Sequence, residues 1–328
     1  MASDTKTIWI GFDLGGTKML AIAYDQDWKE LGRRRRKTKG SEGSENGIER
    51  IASTIERLLG DNDLNKANIA GIGIGCPGPI DLVKGRILMT PNLGWDNVDV
   101  GDFLKKRFDC GVIVLNDVDA GLYGEYLFGS AKDARCAVGI FPGTGVGGGC
   151  VYDGQILQGA KYSCMEIGHT RVSADRRASG SAISGTLEAE ASRLTIAAEA
   201  AKAAVRGDAP HLLEEAGTDL REIRSGALAA SIEKGDKIVK ELVEESARSI
   251  GISVANIVNL LAPDKIVLGG GLVEAMEDLI VNTVRKTAKA NVMSVYKDVF
   301  EVVAAKLGDD AGAMGAAAWA KRKLDQPK

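Results

Sequence analysis

Histidine is nearly absent from this 328-residue chain, which has only His169 and His211. That scarcity limits Ser-His-Asp catalysis and histidine-rich metal sites to one or two arrangements, and it directs attention to carboxylates and backbone amides. The five cysteines, Cys76, Cys110, Cys136, Cys150 and Cys164, are scattered and form no C-x-x-C pair. Neither a disulfide framework nor a sequence-local zinc knuckle is indicated, and reduced thiols in a cytoplasm are expected. No apolar run approaches the length of a bilayer span, and Met1 to Lys6 lack a basic-then-apolar signal pattern, so no membrane partner is expected. A net charge of −3 creates no global field for nucleic acid. The one basic run, Arg33-Arg34-Arg35-Arg36-Lys37, lacks interleaved aromatics and reads as a solvated edge strand.

The chain does have glycine turns in informative places. Gly11-Phe12-Asp13-Leu14-Gly15-Gly16-Thr17-Lys18 lies between the apolar runs Ile8–Ile10 and Met19–Ala23. Those runs suit two buried strands, and Gly15-Gly16 permit positive φ and a close approach of backbone amides to an anion. The alternative is an ordinary Gly-Gly hairpin with a solvated Asp13. A second turn, Gly143-Thr144-Gly145-Val146-Gly147-Gly148-Gly149, also joins strand to strand. A dinucleotide fingerprint or a Walker loop requires strand-to-helix context, so neither fits. Two such loops imply two related halves. A third cluster, Gly269-Gly270-Gly271, follows the strand Ile266–Leu268 and precedes a helix, where it suits a purine face, an α-phosphate or simply a tight turn.

Carboxylates supply the candidate chemistry. The strand Val112–Leu115 runs into Asn116-Asp117 and then an amphipathic helix, the place where open α/β sheets put catalytic groups; a helix cap is the alternative. Met89 to Asn97 is an aperiodic, amide-rich loop, suited to hydroxyl recognition or to turns. Glu166-Ile167-Gly168-His169 and the later Glu188 precede long helices over Ala189–Val205 and Asp236–Ala262. The 45% hydrophobic content fills two cores, and no low-complexity linker separates them.

In order, DLGGTK, GCPGPID, PNLGWDN, LNDVDAGLYGE, GTGVGGG, EIGH, IVLGGG and LGDDAGAMGA resemble the ROK family of sugar kinases, most of all its glucokinase-type members. The resemblance implies an actin/Hsp70/hexokinase-like (ribonuclease H-like) fold with a cleft between two α/β domains. These are residues 1–117 plus about 310–328, and residues 118–309. It implies ATP-dependent phosphorylation of a hexose, glucose first, with Asp117 as the base. The alternatives are a kinase for fructose, mannose, N-acetylglucosamine or N-acetylmannosamine, or a sugar-sensing regulator; polyphosphate is an alternative donor. Only twelve residues precede Asp13, so no DNA-binding domain is expected ahead of it. An ATPase of the chaperone type would share the fold but turn over without sugar.

By the same resemblance Asn92, Asn116, Asp117, Glu166, His169 and Glu188 are sugar-binding positions. Asp13, Gly15, Gly16, Thr17, Lys18, Gly143, Thr144, Gly145, Gly269, Gly270 and Gly271 are nucleotide and phosphate positions, with Asp13 holding Mg²⁺ through water. A homo-oligomer, dimer or tetramer, is implied. One departure stands out. Family members carry C-x-C-G-x-x-G-C after the histidine as part of a structural zinc site, and here the stretch is Ser179-Gly180-Ser181-Ala182-Ile183-Ser184-Gly185-Thr186. Hydroxyls replace all three thiolates, so no zinc is expected.

Overall fold

Alternating apolar and glycine-rich runs build two mixed α/β units. In this computed structural model residues 7–90, 92–174 and 183–325 are described. The first unit comprises residues 1–132, 154–164 and 309–328; the second comprises 133–153 and 165–308. The sequence reading placed the boundary at Asp117, whereas the first unit continues to Lys132.

The strands are β1 (Ile8–Leu14), β2 (Lys18–Tyr24), β3 (Glu30–Lys37), β4 (Ile69–Cys76), β5 (Ile80–Asp81), β6 (Arg86–Thr90), β7 (Trp95–Val98), β8 (Gly111–Asn116), β9 (Cys136–Pro142), β10 (Val146–Tyr152), β11 (Gln155–Ile156), β12 (Lys265–Leu268) and β13 (Glu301–Ala304). The helices are α1 (Ser44–Asp61), α2 (Val100–Phe108), α3 (Asp117–Phe128), α4 (Leu187–Ala191), α5 (Arg193–Arg206), α6 (Pro210–Ala216), α7 (Ser225–Lys234), α8 (Lys237–Leu261), α9 (Gly271–Ala275), α10 (Glu277–Asn291) and α11 (Ala311–Leu324).

The sheet of the first unit runs β3-β2-β1-β4-β8. Its β1–β2 and β2–β3 pairs are antiparallel, and β1–β4 and β4–β8 are parallel. In the second unit β10-β9-β12-β13 repeats this plan: β9–β10 is an antiparallel hairpin, and the other pairs are parallel. The two glycine turns occupy the same place in both, the hairpin between its first two strands. Each unit has its own apolar core.

Helix α11 explains why α3 belongs to the first unit. Small residues let backbones meet. A Cβ on Gly315 would lie 1.8 Å from the carbonyl oxygen of Ala120, and one on Gly124 2.5 Å from that of Ala311. Against the sheet, a Cβ on Gly11 would lie 1.9 Å from Ala313 O, and one on Gly73 1.8 Å from Ala316 O. Trp319 then packs edge-on against Tyr123 with ring centroids 5.0 Å apart.

Three local expectations change. The stretch Met89–Asn97 is not an irregular loop, because β6 and β7 pair as an antiparallel hairpin beside β5 and bury Trp95. Its Pro91 lies outside the described residues. The Ala-rich helix is two helices, broken where the Ser192 hydroxyl accepts a hydrogen bond from Thr195 N and starts α5 anew. Of the three glycine clusters, only Gly270 has positive φ, 84°; Gly15 and Gly16 do not. No helix among the described residues is long and apolar enough to cross a membrane.

Candidate functional site

In the first unit, parallel pairing fixes where the acids stand. Asp13 pairs with Gly75 near the end of β1, and Cys76 pairs with Asn116 at the end of β8. Asp13 and Asp117 therefore emerge at the same end of the sheet, two strands apart, and the intervening Gly75 presents no side chain. A Cβ on Gly75 would sit 3.4 Å from Asp117 Cα. Asp13 feels this crowding. Its carboxyl is pushed up to about 7, first by burial and then by the charge of Asp117, while Lys18 and Arg35 act the other way. Buried Cys76 between them is raised as well, by burial and then by Asp117 and Asp13.

The first glycine turn closes over Asp13. Gly15 N–H donates to Lys18 O at 3.0 Å, and a Cβ on Gly15 would meet that oxygen at 2.7 Å. The requirement for glycine here is space rather than left-handed backbone. Thr38 Oγ1 donates to Gly15 O at 2.7 Å and Thr38 N to Thr17 O at 2.9 Å, which anchors the turn from β3's end. Gly16, Thr17 and Lys18 are exposed, and Asn92 lies beside Gly16, its Cβ 3.8 Å from where a Cβ on Gly16 would be. Lys18 Nζ donates to both carboxylate oxygens of Asp309 at 2.7 Å. Asn116 caps α3, its Oδ1 accepting from Val118 N and Asp119 N, while its Nδ2 donates to Gly78 O at 3.3 Å. Asp117 Oδ1 accepts from Val118 N at 3.0 Å.

The second unit gathers the remaining positions. Glu188 accepts a hydrogen bond from Val146 N at 3.1 Å, and a Cβ on Gly145 would lie 2.3 Å from its Oε2, so that carboxylate sits against the second glycine turn. Glu166 is raised above the ordinary carboxylate range by burial first; His169 opposes the shift and Glu188 adds to it. Glu166, His169 and Glu188 thus form one group. The third cluster packs on the same strand end: Gly269 N donates to Ile140 O at 3.2 Å, and a Cβ on Gly270 would meet Pro142 O at 2.9 Å.

Sequence reasoning missed Arg193. Its N–H donates to Gly143 O at 2.8 Å and its Nη2 to Thr144 Oγ1 at 3.2 Å, so it braces the second turn from the first residue of α5. Burial, and then Arg224, lower its guanidinium pKa. The signal was Ser192, a good N-cap inside an apparently continuous helix, which marks a helix start at Arg193. Asp309 was likewise missed as the partner of Lys18.

The hydroxyl-for-thiolate stretch is partly described. Ser179 and Ser181 lie outside the described residues. Thr186 is buried, and its Oγ1 accepts from Ala189 N at 3.2 Å as the N-cap of α4. This donor set does not fit the zinc that the resemblance implies, because a neutral hydroxyl already engaged as a cap is a poor ligand.

Comparison with known proteins agrees with this architecture. The profile of the ROK family matches residues 9–323. A glucokinase of Thermotoga maritima is 31% identical over 316 residues, covering 96% of this chain and 98% of that protein. A glucokinase of Halalkalibacterium halodurans is 30% identical over 313 residues, covering 94% and 93%. Among solved structures, a ROK family glucokinase from Streptomyces griseus in complex with glucose and AMPPNP superposes with a TM-score of 0.83 at 27% identity, covering 96% of this chain and 99% of that one. The chain belongs to the ROK family.

Proposed function

We propose that this protein is an ATP-dependent hexose kinase that phosphorylates glucose on its primary hydroxyl. The observation that carries the reading is the convergence of Asp13 and Asp117 at one sheet end, beside an exposed glycine turn and with no side chain at Gly75. Phosphoryl transfer needs a base at the attacking hydroxyl and neutralisation of phosphate charge nearby. Asp117 is the base, taking the hydroxyl proton as the oxygen attacks the γ-phosphate. The amides of Gly15 to Thr17 and of Gly143 to Gly145 bind phosphate oxygens, and Arg193 holds Thr144 in place for this. Gly269 to Gly271 contact the nucleotide. Asn92, Asn116, Glu166, His169 and Glu188 recognise sugar hydroxyls. The names of the glucokinase relatives and the AMPPNP-bound structure support this choice of substrates.

The residues present fit a magnesium ion. A carboxyl raised to about 7 by burial and by a second acid is one that a divalent cation would return to its charged form. Asp13 would hold Mg²⁺ through water, and the ion would neutralise charge on the β- and γ-phosphates. No zinc takes part.

A coupled Mg-ATP assay over a panel of hexoses and N-acetylhexosamines tests the proposal, with glucose expected to give the highest kcat/KM. Asp117→Asn is expected to lower kcat by ~10²–10⁴-fold, the ordinary value of a general base, while glucose affinity changes little. Near-normal turnover in that variant removes Asp117 from its role, and sugar-independent ATP turnover in the wild type rejects the kinase reading.

A further inference from the structure

Strand β3 divides its basic run between two faces. Side chains alternate along a strand, so Arg33, Arg35 and Lys37 face one way and Arg34 and Arg36 the other. On the first face both arginines are paired: Arg33 with Glu30 and Asp310, and Arg35 with Asp309. The second face turns to α1. There Arg34 Nη1 donates to Asp61 Oδ2 at 2.7 Å, and Arg36 Nη1 donates to Ser53 Oγ at 2.8 Å and to Thr54 Oγ1 at 3.3 Å.

Helix α1 adds Arg50 and Arg57 to the same stripe, at helical spacing from Ser53, Thr54 and Asp61. Among the described residues, the ion pairs of this stripe stand at its ends, Asp61 with Arg34 and Glu42 with Arg50. Between them, Arg36 and Arg57 pair with no carboxylate among the described residues. Burial lowers the pKa of Arg36, and Arg57, Arg50 and Arg34 lower it further, so these three guanidinium groups lie within electrostatic reach of Arg36.

A second observation points to a missing partner. The Nε atoms of Arg34 and Arg50 are buried and make no hydrogen bond. A buried N–H without an acceptor is costly, and such a donor in a native protein calls for an absent acceptor. Water would satisfy the donors but leave the charges of Arg36 and Arg57 uncompensated. We propose that the β3–α1 surface is a binding site for a small, multiply charged phosphate-bearing anion, gripped by Arg36 and Arg57 and flanked by Arg34 and Arg50. The planar guanidinium fork matches phosphoryl oxygens, and Ser53 and Thr54 hold Arg36 in position. This face of β3 is opposite the one that meets Asp309, so the site is separate from the Asp13 turn.

The test is titration calorimetry of the full-length protein with inorganic pyrophosphate, with inorganic phosphate as a second arm, in metal-free buffer. Any pyrophosphate bound at the glycine turns is common to wild type and variants. Arg36→Gln/Arg57→Gln is expected to weaken one class of pyrophosphate site by about tenfold or more, the value of one to two lost charge-assisted hydrogen bonds. Arg36→Lys/Arg57→Lys should fall between, keeping charge but losing the fork. Arg57→Gln alone, at an exposed residue, should weaken binding without loss of fold and covers the case in which the double variant misfolds. Stronger binding of pyrophosphate than of phosphate supports a multiply charged ligand. Equal binding by wild type and Arg57→Gln, or no binding by wild type at millimolar pyrophosphate, overturns the proposal.

Discussion

Replacing Asp13 by Asn should alter the pH dependence of stability in a way the structure fixes. The Asp13 carboxyl ionises near its ordinary 3.8 in the unfolded chain and at about 7 in the native protein. Between those values the native state holds a proton that the unfolded chain has lost, so native stability falls as pH rises. Each pH unit in that window costs about 1.4 kcal/mol, and the window spans about 3 units, so the total is about 4 kcal/mol. Below the window both states are protonated, and above it both are ionised, so the curve is flat on either side.

Asn cannot ionise. The stability of Asp13→Asn relative to wild type should therefore grow by about 4 kcal/mol from pH 4 to pH 8, with the contributions of other titrating groups cancelling. All four tryptophans, Trp9, Trp28, Trp95 and Trp319, lie in the first unit, so urea unfolding followed by tryptophan fluorescence reports on the unit that contains Asp13. In Asp117→Asn the wild-type midpoint should move toward acid but remain above 3.8, because burial outweighs the charge of Asp117. A stability difference between Asp13→Asn and wild type that stays constant within about 0.5 kcal/mol across the window would refute the reasoning.

Two further outcomes follow from packing and ligand chemistry. Gly73→Ala puts a methyl 1.8 Å from the Ala316 carbonyl oxygen, which cannot rotate away, so α11 must shift. Loss of at least about 3 kcal/mol is expected, the upper end of overpacking costs, against a gain of ~0.5–1 kcal/mol if only glycine's backbone entropy mattered. An unchanged or raised urea midpoint counts against the backbone contact. Metal analysis of purified protein after dialysis against a chelator should find far less than one zinc per chain with the far-ultraviolet circular dichroism unaltered; one retained zinc per chain would contradict the reading of Thr186 as a cap.

Much of the fold was legible because glycine and β-branched runs punctuate it sharply. The strand-to-strand context of Gly15-Gly16 and of Gly143 to Gly149 excluded nucleotide folds that need a helix after the loop, and both turns are indeed hairpins. The run at Ile266–Leu268 was correctly read as a strand. Short β6 and β7 escaped notice because a five-residue and a four-residue strand leave too little periodicity, and only the burial of Trp95 reveals their sheet. Arg193 escaped because an alanine-rich run conceals a break that only the Ser192 cap discloses.

The sequence alone determined the two glycine hairpins and the position of Asp117 at a strand end, since these depend on residues near one another in the chain. The family resemblance rested on the same local motifs. Tertiary structure decided what depends on distant residues meeting. Asp13 becomes a raised carboxyl because folding buries it, and parallel pairing of β1, β4 and β8 adds the charge of Asp117 across Gly75. Lys18 reaches Asp309 across 291 positions, and Gly11, Gly73 and Gly315 are required only where α11 returns to lie on them. The basic run of β3 likewise divides between two faces, and alternation along the strand is local, but Asp309 and Asp310, which pair with Arg35 and Arg33 on one of them, come from the other end of the chain.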